Sequence, residues 1–214
     1  MTEFNLTLDP RIIDSPTALR ILDVAGHLFM QRGYRAVSIN DIINAAGVTK
    51  PTLYYYFSDK EELFVQMGLR VLITMSEPLA ELVSADLPLV ERLRAIATLL
   101  INGYEGDMRV MRHEMMEHLG EAARARLSAA FYQHLFEPLI RLMREAGAAG
   151  LIRNDLAPTM LATLFLSLCE TFHELTPTNP FTRWVGEVSP ALLVDLFLNG
   201  AGRRATPNPL TGAA

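Results

Sequence analysis

Cysteine is almost absent from this chain, which has Cys169 alone among 214 residues. A single cysteine excludes an internal disulfide and fits a reducing compartment. Long apolar runs are also missing: half of the residues are apolar, but charges interrupt them before the roughly 18 residues of a membrane span. The acidic N-terminus lacks the basic, apolar start of a signal peptide. We therefore expect a cytoplasmic protein.

An excess of positive charge is missing as well, because the net charge is −5. Residues 1–60 are balanced, with six Lys/Arg and six Asp/Glu, whereas residues 61–214 carry 13 Lys/Arg against 18 Asp/Glu. This balance argues against a protein that coats nucleic acid without specificity. Any contact with DNA must come from a small surface, helped by the positive ends of helix dipoles.

The alternation typical of strands is absent, and apolar residues recur with helical period along the whole chain. We predict an all-α fold. Ser15-Pro16 should open the first helix, which ends at Gly33. Further on, a proline, Pro138, should interrupt a helical stretch from Glu121 to Gly147.

The helix over Asp155–Phe172 contains LATLFLSLC, which is apolar on nearly all sides. This pattern predicts a helix that is buried all round. A last helix should end at Gly200. We expect the residues after it to form a mobile tail.

Two short helices around a glycine stand out in the N-terminal part. Ser38 and Asp41 have the spacing of a capping box, Gly47 makes the turn, and Thr49 caps the second helix. Such a pair is a helix-turn-helix, whose second helix enters the DNA major groove.

The next helix should open at a second capping box, formed by Ser58 and Glu61, and should run to about Ser76. Its first turn contains Lys60, a basic side chain close to the free N–H groups of the helix start.

These segments resemble the DNA-binding domain of the tetracycline-repressor (TetR/AcrR) family of bacterial regulators. The resemblance covers about residues 16–65 and is carried by Gly33-Tyr34, Ser38-Ile39, Asp41-Ile42, Ala45-Ala46-Gly47-Val48, Thr52-Leu53-Tyr54-Tyr55-Tyr56-Phe57 and Lys60-Glu61-Glu62-Leu63. Position 51 departs from the family pattern. It is Pro where the family usually has Gly or another small residue, and this removes a backbone N–H.

The resemblance implies an all-α homodimer with an N-terminal helix-turn-helix domain and a larger helical domain that binds an effector. It implies that the last two long helices pair with those of the partner, and that the effector releases the operator by displacing the recognition helices. On this basis we divide the chain into an N-terminal extension, a DNA-binding domain, an effector-binding and dimerisation domain, and a tail, at residues 1–15, 16–62, 63–203 and 204–214.

Hydroxyls and ammonium groups gather around the second short helix, and such groups make most protein–DNA hydrogen bonds. The predicted DNA-binding residues are Ser38, Thr49, Lys50, Thr52, Tyr54, Tyr55 and Lys60. Ser38 and Thr49 equally serve as helix caps. Three consecutive residues of a helix span about 200°, so the three tyrosines cannot all face DNA. Leu53 and Phe57 should lie in the core. Whether Tyr56 lies in the core or faces DNA is left undecided by the sequence.

An effector cavity is predicted from flexible and aromatic side chains in the C-terminal part. Its candidate residues are Tyr104, Met108, Met111, Met115, Phe131, His134 and Phe165. Each equally fits plain core, and His134 is preferred because Pro138 removes the hydrogen bond to its carbonyl. We expect a largely apolar effector. The acidic balance favours a cation, although surface charge says little about a buried pocket.

Histidines and acids could instead hold a metal. His113 and Glu117 are spaced to face one ion, but His118 points about 140° away from His113. Solvated helix faces explain these residues as well, so we predict no metal and no cofactor.

The leading hypothesis is a ligand-responsive repressor that binds a palindromic operator as a homodimer. A regulator controlled by a partner protein, with no small-molecule pocket, and an activator are alternatives. An enzyme on a helical scaffold is disfavoured, because no nucleophile–base pair or phosphate loop is present.

Overall fold

The computed structural model describes residues 7–102, 108–175 and 188–200, without the side chains of 108–110 and 174. Every regular element in these ranges is a helix, which confirms the predicted fold class. The helices are α1 Pro10–Ile13, α2 Pro16–Arg32, α3 Ile39–Ala46, α4 Lys50–Tyr56, α5 Lys60–Ser84, α6 Leu89–Asn102, α7 Met108–His118, α8 Glu121–Phe131, α9 Glu137–Ala148, α10 Pro158–Glu174 and α11 Pro190–Asn199. The predicted tail at 204–214 lies outside the described residues.

The predicted caps of the N-terminal helices are confirmed. The hydroxyls of Ser15, Ser38 and Thr49 each accept a backbone N–H at the start of α2, α3 and α4. Gly47 ends α3 with a φ of 62°, in the left-handed region that glycine enters without steric cost. The local sequence therefore determines the angle between α3 and α4.

The predicted start of the next helix is wrong by one residue. Asp59, not Ser58, caps α5, since its carboxylate accepts the Glu62 N–H at 2.8 Å. Glu61 does not close a capping box, because its carboxylate accepts the Gly120 N–H at 2.7 Å instead.

The predicted end of this helix near Ser76 is also wrong, because α5 continues to Ser84. Pro78 lies inside it and removes one backbone hydrogen bond, but the buried Met75, Leu79 and Val83 hold the helix in the core on both sides. The proposed domain boundary at 62/63 falls within α5, which therefore continues from the helix-turn-helix into the helices that follow it.

Asp59→Ala is expected to lower the free energy of unfolding by about 0.5–2 kcal/mol, because it removes a helix cap. Ser58→Ala is the matched control and should change it by much less. Thermal or urea unfolding of both variants checks the assignment. A larger loss of unfolding free energy for Ser58→Ala would mean that Ser58 caps the helix, as predicted from the sequence.

A single π-helical turn, Tyr132–Phe136, joins α8 to α9. In it, the Glu137 N–H bonds to the carbonyl of Tyr132, five residues back. The interruption predicted at Pro138 is confirmed, and it takes the form of a π turn, a common cause of a break in a helix.

The prediction that the Asp155–Phe172 helix is buried all round is wrong for this chain. On α10, Ala162 and Phe165 are fully buried, but Met160 and Leu164 are 52% and 46% exposed. One face of α10 packs on α6, α9 and α11. The opposite face has no cover among the described residues of this chain.

The core is organised around α5, which packs against α2, α6, α8, α9 and the π turn. An aromatic cluster lies where α5 meets the N-terminal helices. Phe64 stands with its ring centre 5.4 Å from Phe29 and 5.3 Å from Tyr34. This packing fixes α2 against the first turns of α5.

Candidate nucleic-acid interface and ligand cavity

The helix α4 is held by two apolar side chains and presents its other side outward. Leu53 and Phe57 are fully buried, which confirms their predicted place in the core. Tyr54 and Tyr55 are 43% and 63% exposed. Two large aromatic rings exposed to water on one short helix leave a surface suited to contact with a partner.

Polar groups surround these tyrosines. Lys50 is exposed, and its ammonium lies 5.9 Å from the centre of the Tyr54 ring. Thr49 is exposed and Thr52 half-buried; their hydroxyls hydrogen-bond each other at 2.8 Å, and Thr49 also caps the helix. Ser38 caps α3, and its hydroxyl donates to Asp41. The hydroxyls of Ser38 and Thr49 therefore have local structural partners.

Tyr56 has a structural place. Its hydroxyl accepts a hydrogen bond from the Ser15 hydroxyl at 2.8 Å. Its ring packs edge-on against Tyr55, with centres 4.8 Å apart. Of the three tyrosines, Tyr56 is the one that connects α4 to the start of α2.

Lys60 lies against Tyr34. Its ammonium is 4.1 Å from the centre of the Tyr34 ring, a cation–π distance. Burial lowers the pKa of Lys60, while the Glu114 carboxylate acts in the opposite direction. Burial also raises the pKa of Tyr34, to about 12. In this structure the Lys60 side chain is engaged inside the molecule and is not extended into solvent.

The short helix α1 is a part of this surface that the sequence analysis missed. Arg11 donates to the carbonyl of Tyr55 at 3.1 Å, close to the end of α4. Asp9 caps α1 and pairs with Arg11 at 2.6 Å, and Ile12 is fully buried. The Asp9-Pro10 pair, a cap followed by a helix-starting proline, is the signal that would have predicted this helix.

A cavity of about 140 Å³ lies between α5, α7, α8 and α10. Three of the predicted residues line it: Met111, Met115 and Phe131. The others in its wall are Gly68, Leu72, Arg112, Leu127, Ser128 and Glu170. Sequence spacing gave no signal for Arg112 and Glu170, because 58 residues separate them.

Two of the other predicted pocket residues, His134 and Phe165, lie elsewhere. His134 is half-buried on the π turn and is not in the cavity wall. Phe165 is fully buried and packs on Phe197, with ring centres 5.2 Å apart. Tyr104 and the side chain of Met108 lie outside the described residues.

A wider groove of about 630 Å³ runs between α2 and α5. It is lined in part by the Asp23–Arg70 ion pair, whose oxygen and nitrogen are 2.8 Å apart. Unlike the cavity beside α7, it contains none of the predicted pocket residues.

Several acids and histidines of α7 and α10 have partners within the protein. Glu114 accepts the Tyr34 N–H at 2.6 Å and lies 3.7 Å from the His118 ring nitrogen. The Nδ1 of His173 hydrogen-bonds with the carbonyl of Ile101 at 2.7 Å. Within the described ranges, no three His, Cys, Asp or Glu side chains are grouped as metal ligands require.

None of the described helices is long and apolar enough to cross a membrane. The fold and its N-terminal surface define a helix-turn-helix DNA-binding protein joined to a second, larger helical part. Residues 21–67 match the family model of bacterial regulatory proteins of the tetR family. The predicted resemblance to this family is confirmed over these residues, which extend from α2 into the first turns of α5.

Several known proteins are similar over much of the chain. The HTH-type transcriptional repressor DhaR of Mycobacterium sp. (strain GP1) is 26% identical over 72% of this chain and 78% of its own length. The structure of AibR in complex with isovaleryl coenzyme A and operator DNA is 26% identical, with a TM-score of 0.66 over 85% of this chain and 96% of AibR. FadR from Bacillus subtilis, solved in complex with stearoyl-CoA, shares the fold, with 18% identity and a TM-score of 0.67 over 86% of this chain and 99% of FadR. Several other curated HTH-type regulators match over only 24% to 42% of their own length.

Proposed function

We propose that this regulator is a ligand-responsive repressor that binds a palindromic operator as a homodimer and is released by a small effector. The observation that carries the proposal is the outward face of α4. This face exposes Tyr54, Tyr55 and Lys50, while Leu53 and Phe57 fix the helix from behind. The name of DhaR, a repressor, supports the direction of regulation.

On DNA, the start of α4 would lie in the major groove, where recognition helices make their contacts. Lys50 would neutralise a phosphate, and the hydroxyls of Thr52, Tyr54 and Tyr55 would bond the backbone or base edges. Ser38 and Thr49 would reach phosphates from the helix starts that they cap. Lys60 would have to leave the Tyr34 ring in order to contact DNA.

The dimer would form on the uncovered face of α10. Met160 and Leu164 are one turn apart and half-exposed, and α11 adds Leu192, which is 40% exposed. A two-fold axis would pack this patch against the same patch of the partner subunit. This arrangement buries apolar side chains that the described part of the chain leaves exposed.

The effector would bind the cavity beside α7, because this helix connects the cavity to the DNA-binding part. Met111 and Met115 line the cavity, while Glu114 on the same helix holds the Tyr34 N–H at 2.6 Å. His118 stacks on the Tyr34 ring with centres 6.1 Å apart. A shift of α7 on binding would therefore pull directly on the end of α2.

The complex of AibR with isovaleryl coenzyme A and operator DNA supports small-molecule control on this architecture. The ligand of this chain need not be the same. A cavity of about 140 Å³ is close to the size, about 150 Å³, that takes a benzene ring. It is too small for a chain as long as the stearoyl group named with FadR.

Lys50→Ala and Tyr55→Ala are each expected to weaken operator binding roughly 10-fold or more, by removing a contact worth about 1–3 kcal/mol. For Lys50→Ala, the dependence of log K on log salt should also become shallower by about one per lost phosphate contact. Both side chains are exposed, so the free energy of unfolding should stay nearly unchanged. Fluorescence anisotropy with operator DNA at several salt concentrations measures both effects.

Matched controls are available outside the helix-turn-helix. Tyr132 is 53% exposed and Arg94 is exposed on α6. Tyr132→Ala and Arg94→Ala should bind operator like the wild type. Wild-type affinity in both test variants would show that the DNA surface lies elsewhere.

A further inference from the structure

The cavity beside α7 has an ion pair in an otherwise mostly apolar wall. The two terminal nitrogens of Arg112 donate to the two carboxylate oxygens of Glu170 at 2.7 and 3.1 Å. The pair joins α7 to α10, and both residues line the cavity. A ligand with a charged group in this cavity must therefore compete with one member of the pair.

The two members differ in exposure. The Arg112 side chain is 50% exposed, whereas that of Glu170 is 16% exposed. If a cation replaces Arg112, the guanidinium is already half-exposed to water and the carboxylate keeps a partner. If an anion replaces Glu170, a largely buried carboxylate loses its partner and gains a like charge beside it, which is strongly unfavourable.

The rest of the wall also suits a cation of limited size. Phe131 adds an aromatic ring to the wall, and the sulfurs of Met111 and Met115 are polarizable. Gly68 brings α5 close to the cavity: a Cβ there would lie 2.7 Å from a methyl carbon of Leu127. The space fits one ring or a short branched chain.

We infer that the effector is a compact organic cation whose charged group pairs with Glu170 in place of Arg112 and whose apolar part fills the cavity. This inference rests on the proposed function of the same cavity. Binding would detach Arg112 of α7 from α10. The same helix holds Tyr34 through Glu114, so the exchange of partners at Glu170 would reach the DNA-binding part.

Three probes with the same ring separate charge from shape: benzylammonium, benzyl alcohol and phenylacetate. Isothermal titration of the full-length protein should give a dissociation constant for benzylammonium roughly tenfold below that of benzyl alcohol, because the ammonium makes a charge-assisted hydrogen bond. Phenylacetate should bind most weakly. Gly68→Ala should weaken all three and preserve their order.

Variants of Glu170 and Arg112 test whether this ion pair causes the preference for benzylammonium. Glu170→Gln should bring benzylammonium to the affinity of benzyl alcohol, and Arg112→Gln should strengthen benzylammonium binding. Asp155→Asn is the matched control, since it breaks the exposed Arg153–Asp155 pair away from the cavity wall and should change none of the three. Thermal unfolding confirms that each variant is folded.

Tightest binding of phenylacetate, lost in Arg112→Gln, would overturn the inference in favour of an anion. Equal affinities for the three probes would overturn it as well, and binding of none would reject the cavity as a ligand site. Operator binding by the ligand-free protein is measured separately. Its absence contradicts the proposed function, whereas operator binding without a cation preference contradicts this inference alone.

Discussion

Leu164→Glu is expected to convert the proposed dimer to monomers and to weaken operator binding by roughly 100-fold or more. In an isologous interface, Leu164 of one copy lies near its equivalent face on the other, so one substitution buries two like charges. Burying an unpaired charge costs several kcal/mol, and each 1.4 kcal/mol is about tenfold in the binding constant. A monomer also contacts only one of the two half-sites of the operator.

Sedimentation velocity and operator titration measure the two effects together. Leu87→Glu is the matched control, because Leu87 has the same 46% exposure as Leu164 but lies between α5 and α6. It should leave assembly and DNA affinity unchanged. A Leu164→Glu protein that stays dimeric would place the interface away from α10.

Phe64→Ala is expected to lower the free energy of unfolding by about 3–5 kcal/mol, which is the usual cost of removing a buried phenylalanine. Phe64 is fully buried between Phe29 and Tyr34. Its loss opens a cavity between α2 and α5, and aromatic pairing is lost as well. Such a loss is a large part of the stability of an ordinary domain.

Urea unfolding gives this difference directly. Phe136→Ala is the comparison, because Phe136 is only partly buried and its loss should cost clearly less. Because the cluster joins α2 to α5, Phe64→Ala should also loosen the helix-turn-helix, seen as faster amide exchange in α2 and α5. A change below about 1 kcal/mol would mean that this cluster does not hold the two parts together.

The helices α2, α3 and α4 were predictable because their signals are local. A cap hydroxyl and a glycine in the left-handed region act within four residues, and Ser38, Thr49 and Gly47 behave as the sequence predicts. The predicted start of α5 was wrong because of a contact that is distant in sequence. Ser58 and Asp59 are adjacent candidate caps, and the Glu61 that favoured Ser58 is engaged by Gly120, 59 residues away.

The burial of α10 was wrongly predicted because an apolar sequence indicates which side chains avoid water. It does not indicate whether the same chain or a partner covers them. Ala162 and Phe165 are covered by the protein itself, whereas Leu164 is left exposed. The cavity was predictable only in part, from the composition of α7. Its ion pair depends on the meeting of α7 and α10, and no spacing along the sequence encodes that contact.

The central claim, a regulator that reads a symmetric DNA site, is tested most directly by selecting the purified protein against a random duplex pool at near-physiological salt. We predict enrichment of one two-fold symmetric sequence, with half-site centres about 34–36 Å apart or a multiple of this distance. The Lys50→Ala variant should enrich it less. A folded, ligand-free dimer that enriches no sequence would contradict the account.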